Sequence, residues 1–438
     1  MSKTLREILL AALLLTHGVA FAVEEWQEGA LSGESQRLRR SWGEAGIHTE
    51  LLYKGNWLSS SLGDAKHGSD YMQNLELKVG LDVEKMWEIP NSTAFIHVIH
   101  NSGGKMNAAY LHSIMGVDNS EATDNNSKLY QAWISKTFYH SALSVLAGIY
   151  PIDTEFYVTD TSGIFLNPSF GMAAEVTQTG RNGPSIYPLA ALGVRVKYQP
   201  TPVFYVQAAV LDGNPGGGRN PHWTRFNPFH GDGLLQLAEI AFQPGEAHHM
   251  QEYIDPLKGV ILTEGQKLES RYEPIGKYAI GHWSYSKPFD DLLYNDLAGN
   301  PLQHRNQGSY LLMENSVYRA EDMQRDAVAF FRYGTADGHV NIFDYSDSFG
   351  VRIRGLIAGR ADDFFGIAVS HAHASESYRL ARKALAMPHN ETSIEATYRA
   401  QLKAWLVMQA NVQYISNPGL VPGVRNATVF GLRCEIAI

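Results

Sequence analysis

At the end of the chain, from Asn426 to Ile438, the apolar residues Phe430, Leu432, Cys434, Ile436 and Ile438 alternate with Val429, Gly431, Arg433, Glu435 and Ala437. Successive side chains of a strand point to opposite faces, so one face of this segment is wholly apolar and the other carries both signs of charge. Two environments accept such a strand. One is an outer-membrane β-barrel, with lipid outside and water inside; the other is the half-buried edge of a soluble sandwich.

The same pattern recurs along the chain. Leu75, Leu77, Val79, Leu81 and Val83 oppose Asn74, Glu76, Lys78 and Asp82, and Ala190, Leu192, Val194, Val196 and Tyr198 oppose Arg195, Lys197 and Gln199. A charged face is costly against a dry core and comfortable against a water-filled lumen. The alternation predicts strands near 46–59, 72–85, 93–101, 128–139, 142–150, 189–199, 203–211, 234–243, 276–286, 308–318, 326–334, 348–358, 364–374, 391–400, 405–415 and 427–438. They number about sixteen, even as in single-chain bacterial barrels. The expected fold is all-β, a transmembrane antiparallel β-barrel with a short N-terminal periplasmic segment and an inward-folded external loop.

Connection lengths support the barrel, because outer-membrane barrels pair long external loops with short periplasmic turns. The gaps are long at 102–127, 151–188, 212–233 and 375–390, and short at 140–141, 200–202, 359–363 and 401–404. Segment 244–275, with Pro244, Pro256 and Pro274, breaks the phase. It is read as a periplasmic insertion, the alternative being a strand pair near Val260 to Thr263.

The N-terminus opens Met-Ser-Lys-Thr-Leu-Arg, continues with an apolar run from Ile8 to Leu15 and reaches Ala20-Phe21-Ala22. This reads as a secretory signal over 1–22, cleaved after Ala22. Residues 23–45, with Arg37, Arg39 and Arg40, read as a short periplasmic helix, either a solvated extension or a partial plug, before the barrel at 46–438. No later stretch approaches roughly 18 consecutive apolar residues, so membrane residence would require a barrel.

Composition adds exclusions. With 438 residues and a net charge of -9, the chain does not look like a general nucleic-acid binder. The single Cys434 rules out an intrachain disulfide and a cysteine zinc cluster. Among the 17 histidines, His371 and His373 share a strand face and His248 and His249 adjoin, but no third ligand follows at recognisable spacing. They are read as scattered histidines on a wet lumen or loop, with no metal or other cofactor expected. Gly-x-Ser-x-Gly, His-Glu-x-x-His and a phosphate-binding glycine loop are absent. An enzyme would need an unpatterned site.

Several blocks carry a family likeness: Asp153 to Arg195, Val203 to Gly216, Arg354 to Ala372, Thr397 to Gly419, the strands at Leu75 to Lys85 and Lys128 to Ile134, and the end from Asn426 to Ile436. In these blocks the chain resembles the carbohydrate-selective (OprB-like) outer-membrane porins. The resemblance implies a sixteen-stranded barrel in a Gram-negative-type outer membrane, passing glucose and related small saccharides. The terminal Ile438, where such barrels generally end on an aromatic, departs from the pattern.

A sugar site needs hydrogen-bonding side chains and aromatic plates more than net charge. The connection 151–188, the third external loop of such a barrel, can fold inward and narrow the pore. It offers Asp153, Glu155, Asp160 and Arg181, while Phe165 and Phe170 are expected to pack the loop on the wall. Strand residues Glu76, Lys78, Arg195, Lys197, Arg352, Arg354, Glu395, Arg399 and Arg433 would complete the lining as rows of acid and base. Those rows either orient polar solutes or pair across strands and stiffen the wall. Asp212, Asn214 and Trp223 form a second candidate group at the external mouth, and Trp57, Trp87, Trp133, Trp283 and Trp405 suit interfacial girdles. The expected function is passive, saccharide-selective diffusion by a monomer or homotrimer in outer-membrane lipid. The alternatives are an unselective porin and a barrel enzyme.

Overall fold

The structure, a computed structural model, describes residues 41–62, 68–122, 125–216, 233–244, 254–255, 260–261, 276–321, 324–382, 387–424 and 426–437. The signal segment, most of the predicted N-terminal helix and Trp223 lie outside the described residues. Barrel strands are β1 (Ile47–Leu62), β2 (Gly68–Asp82), β3 (Ser92–Gly103), β4 (Asn126–Phe138), β5 (Leu143–Tyr150), β6 (Ala191–Thr201), β7 (Phe204–Asp212) and β8 (Leu234–Phe242). They continue as β9 (Gly276–Asn295), β10 (Pro301–Arg319), β11 (Asp326–Thr335), β12 (Phe343–Arg354), β13 (Phe364–Ala374), β14 (Asn390–Lys403), β15 (Leu406–Ser416) and β16 (Ala427–Ala437). Each pairs with its sequence neighbours, and β16 returns to β1 with Trp57 opposite Leu432, closing one sixteen-stranded antiparallel barrel.

The two solvents select the two faces. Val194, Val196 and Tyr198 on β6, Ile240 and Phe242 on β8, Ile280 on β9 and Phe430 and Leu432 on β16 are exposed outward, as a lipid belt requires. The alternate rows turn inward. There Glu76, Arg195, Glu239, Glu314, Arg332, Glu395 and Arg433 are buried despite their charge, because something other than water covers them.

Every predicted strand is present, with corrections at the ends. The stretch 83–85, read as strand, opens a short helix, α1 (Val83–Trp87), whose start is capped by the Asp82 carboxylate accepting the Lys85 N–H at 2.9 Å. Strands β9 and β10 extend well past the alternating region, with a register shift between Ser284 and Pro288, and their tips pair without the lipid-lumen pattern. Near Val260 a strand pair does exist, Ile254–Asp255 with Val260–Ile261, but as a separate two-stranded sheet rather than part of the barrel.

Two tryptophans and two histidines occupy the face opposite to expectation. Trp133 and Trp283 point inward and are buried in an apolar cluster, Trp133 against Phe95 at 5.3 Å, instead of sitting in a girdle. His371 and His373 sit on the outer face of β13, not the lumen, paired with Asp347 and Asp344 at 3.1 and 2.7 Å. Trp57 and Trp87 are exposed.

The outward position of Leu432, midway along β16, yields a test. Leu432→Arg should destabilise the barrel by about 2–4 kcal/mol, the cost of a cation at mid-bilayer. Urea unfolding in lipid vesicles would measure it, and an unchanged midpoint would contradict a lipid-facing Leu432.

Candidate functional site: an inner wall that holds the external loops

The connection between β5 and β6 does not stand clear of the barrel. Its first half and the turn-rich stretch after it contribute Ile152, Phe156, Tyr157, Met172, Ala173 and Val176 to an apolar cluster with Tyr205, Leu237, Trp283, Tyr310 and other inward residues of β3 to β10. Phe165 and Phe170 pack on Phe330 of β11, as expected of them. Burial of this area lays the loop against the inner wall.

Backbone groups of a segment so placed have no ladder partner and must find one. Wall carboxylates supply it. Glu239 of β8 accepts the Tyr157 N–H at 2.9 Å together with Tyr205 Oη, Gln207 Nε2 and Tyr310 Oη. Glu314 of β10 accepts the N–H groups of Asp160 and Thr161. Glu395 of β14, fully buried, accepts those of Leu166 and Asn167, both at 2.8 Å. Arg332 of β11 donates in the opposite sense to the carbonyls of Ser169 and Gly171 at 2.8 and 2.9 Å.

The loop spans from β5 to the far wall, and the fit is close. A methyl group at Gly334 would collide with Glu175 and Tyr157, and one at Gly366 with Ile164 and Phe165. The preceding external loop, 104–125, is held the same way. Glu391 of β14 accepts the N–H groups of Ile114, Met115 and Gly419 and the Ser113 hydroxyl, and Arg433 donates to Asp118, Asn119 and Ser120. The two loops also join directly, Asn119 N–H donating to the Leu166 carbonyl at 2.8 Å.

Charges toward the strands' periplasmic ends are arranged differently. Lys54 meets Glu76 at 2.6 Å, Lys78 meets Glu50 at 2.8 Å, His97 meets Glu76 at 3.1 Å, and Arg399 meets Glu435 at 2.8 Å. These pairs form a ladder running over β1, β2, β3, β14 and β16, in which the lysines and Arg399 are partly exposed and Glu76 and His97 are buried. Arg352 stacks on Phe364 at 5.1 Å, and Arg354 pairs with Asp326 at 2.5 Å.

Of the loop candidates, Glu155 grips Arg195 through two bonds of 2.6 and 2.9 Å, with Arg195 also donating to Ser144. Lys197 lies over the Tyr205 ring at 4.2 Å. Asp153 is turned to the Tyr187 N–H at 3.4 Å, whereas the Asp160 and Arg181 side chains are exposed. Asn214 accepts from Asn182 at 2.6 Å and its N–H donates to Asp212, so this mouth group ties two external loops together. Glu395 and Arg433 are placed under the folded-in loops rather than beside open lumen.

Sequence reasoning missed Glu239, Glu314, Glu391 and Arg332. A signal was available, since Glu239 stands in an inward row between Leu237 and Ala241, and Glu314 follows Tyr310 and Leu312.

A closed barrel of sixteen strands, greasy outside, charged inside and narrowed by folded-in loops, is an outer-membrane porin. Residues 66–437 match the carbohydrate-selective porin, OprB family, and the chain belongs to that family. It is a carbohydrate-selective channel of the Gram-negative outer membrane.

Porin B of Pseudomonas aeruginosa is 23% identical over 93% of this chain and 92% of its own. The high-pH structure of Pseudomonas putida OprB superposes with a TM-score of 0.80 at 20% identity, covering 95% of this chain and all of that one. Its low-pH structure gives 0.58 at 16% identity, covering 94% of this chain and all of that one.

Two outcomes follow from the loop anchors. Glu395→Ala leaves two buried N–H groups unsatisfied at about 1–3 kcal/mol each. It should give larger, noisier open-channel currents in a planar bilayer, whereas unchanged current noise would show that the remaining anchors suffice.

The second concerns pH. Burial pushes the Glu175 carboxyl up to about 7 from 4.5, and that of Asp153 up to about 6 from 3.8. The seated loop therefore retains protons that an unseated loop releases, and seating weakens as pH rises from about 4.5 to about 7. Amide-exchange protection over 156–178, corrected for intrinsic rates, should fall across that window. Glu175→Gln should flatten the fall, and a slope equal to that of the unmutated protein would mean Glu175 is ionised in place.

Proposed function

We propose that small, uncharged saccharides of the glucose type diffuse past loop 151–190, in contact with the Glu155–Arg195 pair, Asp160 and the charge ladder below. The observation that carries this reading is the balance of the ladder. Lys54, Lys78 and Arg399 are matched by Glu76, Glu50 and Glu435, each pair in direct contact at 2.6–2.8 Å. Such a wall presents many donors and acceptors with little net charge, which suits a polyol and gives an ion no preferred sign.

Passage is by diffusion, without a covalent step or energy coupling. A pore must let its solute leave, so affinity is weak, at about millimolar or above. The anchored loops support selectivity, because a fixed constriction discriminates by shape where a mobile one would not.

The test is conductance of the refolded barrel in a planar bilayer during titration with glucose, maltose and an uncharged non-sugar of similar size. Saturable block by the sugars alone, at millimolar concentration, is expected. Equal block by all three would reduce the channel to an unselective porin, and micromolar sugar binding in calorimetry would contradict a diffusion pore.

A further inference from the structure

The long hairpin of β9 and β10 carries a group that the channel reading does not use. Asp291 on β9, His304 on β10 and His339 in the connection 336–342 converge, their ligating atoms all within 4.8 Å of one another. Asp291 Oδ2 lies 2.9 Å from His304 Nε2 and 3.2 Å from His339 Nδ1, and the Asp291 side chain has no exposed surface. The two imidazoles stack at 4.4 Å, 8° from parallel.

The surroundings hold these groups in place. Asp291 Oδ1 accepts the N–H groups of Leu293 and Tyr294 at 2.8 and 2.9 Å, which fixes the carboxylate and turns Oδ2 toward the histidines. The 336–342 connection is fastened over the hairpin by Leu292 N–H to the His339 carbonyl, Asp337 N–H to the Gln307 carbonyl, and a reciprocal amide pair between Asn306 and Asn341. His339 N–H donates to the Asp337 carboxylate at 2.9 Å.

One feature separates this cluster from an ordinary ion pair. Despite their short separation, the buried atoms Asp291 Oδ2 and His304 Nε2 make no hydrogen bond of acceptable geometry with any partner. A buried carboxylate oxygen left so is costly unless something else satisfies it. Ligands about 2.0–2.1 Å from one tetrahedral ion are about 3.3 Å apart, close to the two Asp291–histidine separations found here.

We propose that Asp291, His304 and His339 bind a borderline divalent transition-metal cation such as Zn2+, clamping the 336–342 connection to the β9–β10 hairpin at the external mouth. Two imidazoles and one carboxylate suit such an ion once one ring turns out of the stack to bring its lone pair into line, and three protein ligands leave a position for water.

The test uses the full barrel, untagged, chelator-stripped and folded in detergent, titrated with ZnCl2 by calorimetry. The expected result is one Zn2+ per chain. Affinity should fall by more than about tenfold, the loss that even outer-shell changes produce, in Asp291→Asn, His304→Ala and His339→Ala. It should stay unchanged in the double variant His371→Ala, His373→Ala. Because His339 sits in an exposed connection, its variant remains informative if the Asp291 change impairs folding, and heat-modifiable gel mobility verifies each barrel. Absence of saturable binding, or an affinity in the His304 and His339 variants equal to that of the unmutated protein, would overturn the proposal. So would Cu2+ resonance spectra lacking nitrogen couplings.

Discussion

A polypeptide segment laid inside a barrel must satisfy its backbone N–H groups without a neighbouring strand, and this constraint organises the lumen. Glu239, Glu314, Glu391 and Glu395 project from three strands and present both carboxylate oxygens to donors, mostly consecutive N–H groups of the folded-in loops. Each such bond contributes about 0.5–1.5 kcal/mol to a neutral acceptor and about 1.5–3 kcal/mol to an ionised one. An apolar residue at these positions would leave the donors to compete for water, and the loop would lift from the wall.

The wall thus uses acids in two distinct ways. Those under the loops are deeply buried and met mainly by N–H and hydroxyl donors. Those of the ladder, from buried Glu76 to part-exposed Glu50, are met by lysine and arginine. The first set decides the shape of the constriction, and the second decides what a solute meets beside it. Separating the tasks leaves the ladder's composition open to change without unseating the loops.

This division also explains what was legible in the sequence. Strand number and facing could be read because lipid and water impose a period of two on every strand, and the inward row at Glu76, Lys78, Arg195 and Lys197 follows it. Beyond the bilayer that pressure ends, so the β9–β10 tips were not legible as strand. Trp133 and Trp283 were misassigned because a tryptophan near a strand end serves equally in a girdle or under an inward loop. Only Glu395 among the carboxylate anchors was singled out, and as lining. Asp291, His304 and His339 come from two strands and a connection, a proximity that only the folded hairpin creates.

Loop 151–190 shows why both halves of its attachment are needed. Its apolar half, with Phe156, Tyr157, Met172 and Val176, contributes most of the buried surface, but hydrophobic contact is non-directional and tolerates sliding. The hydrogen bonds to Glu314, Arg332 and Glu395 are directional, and a shift of one residue would exchange N–H for side chain at each. Apolar burial therefore decides that the loop enters the barrel, and the polar contacts decide where it stops. The width left for a solute depends on the second.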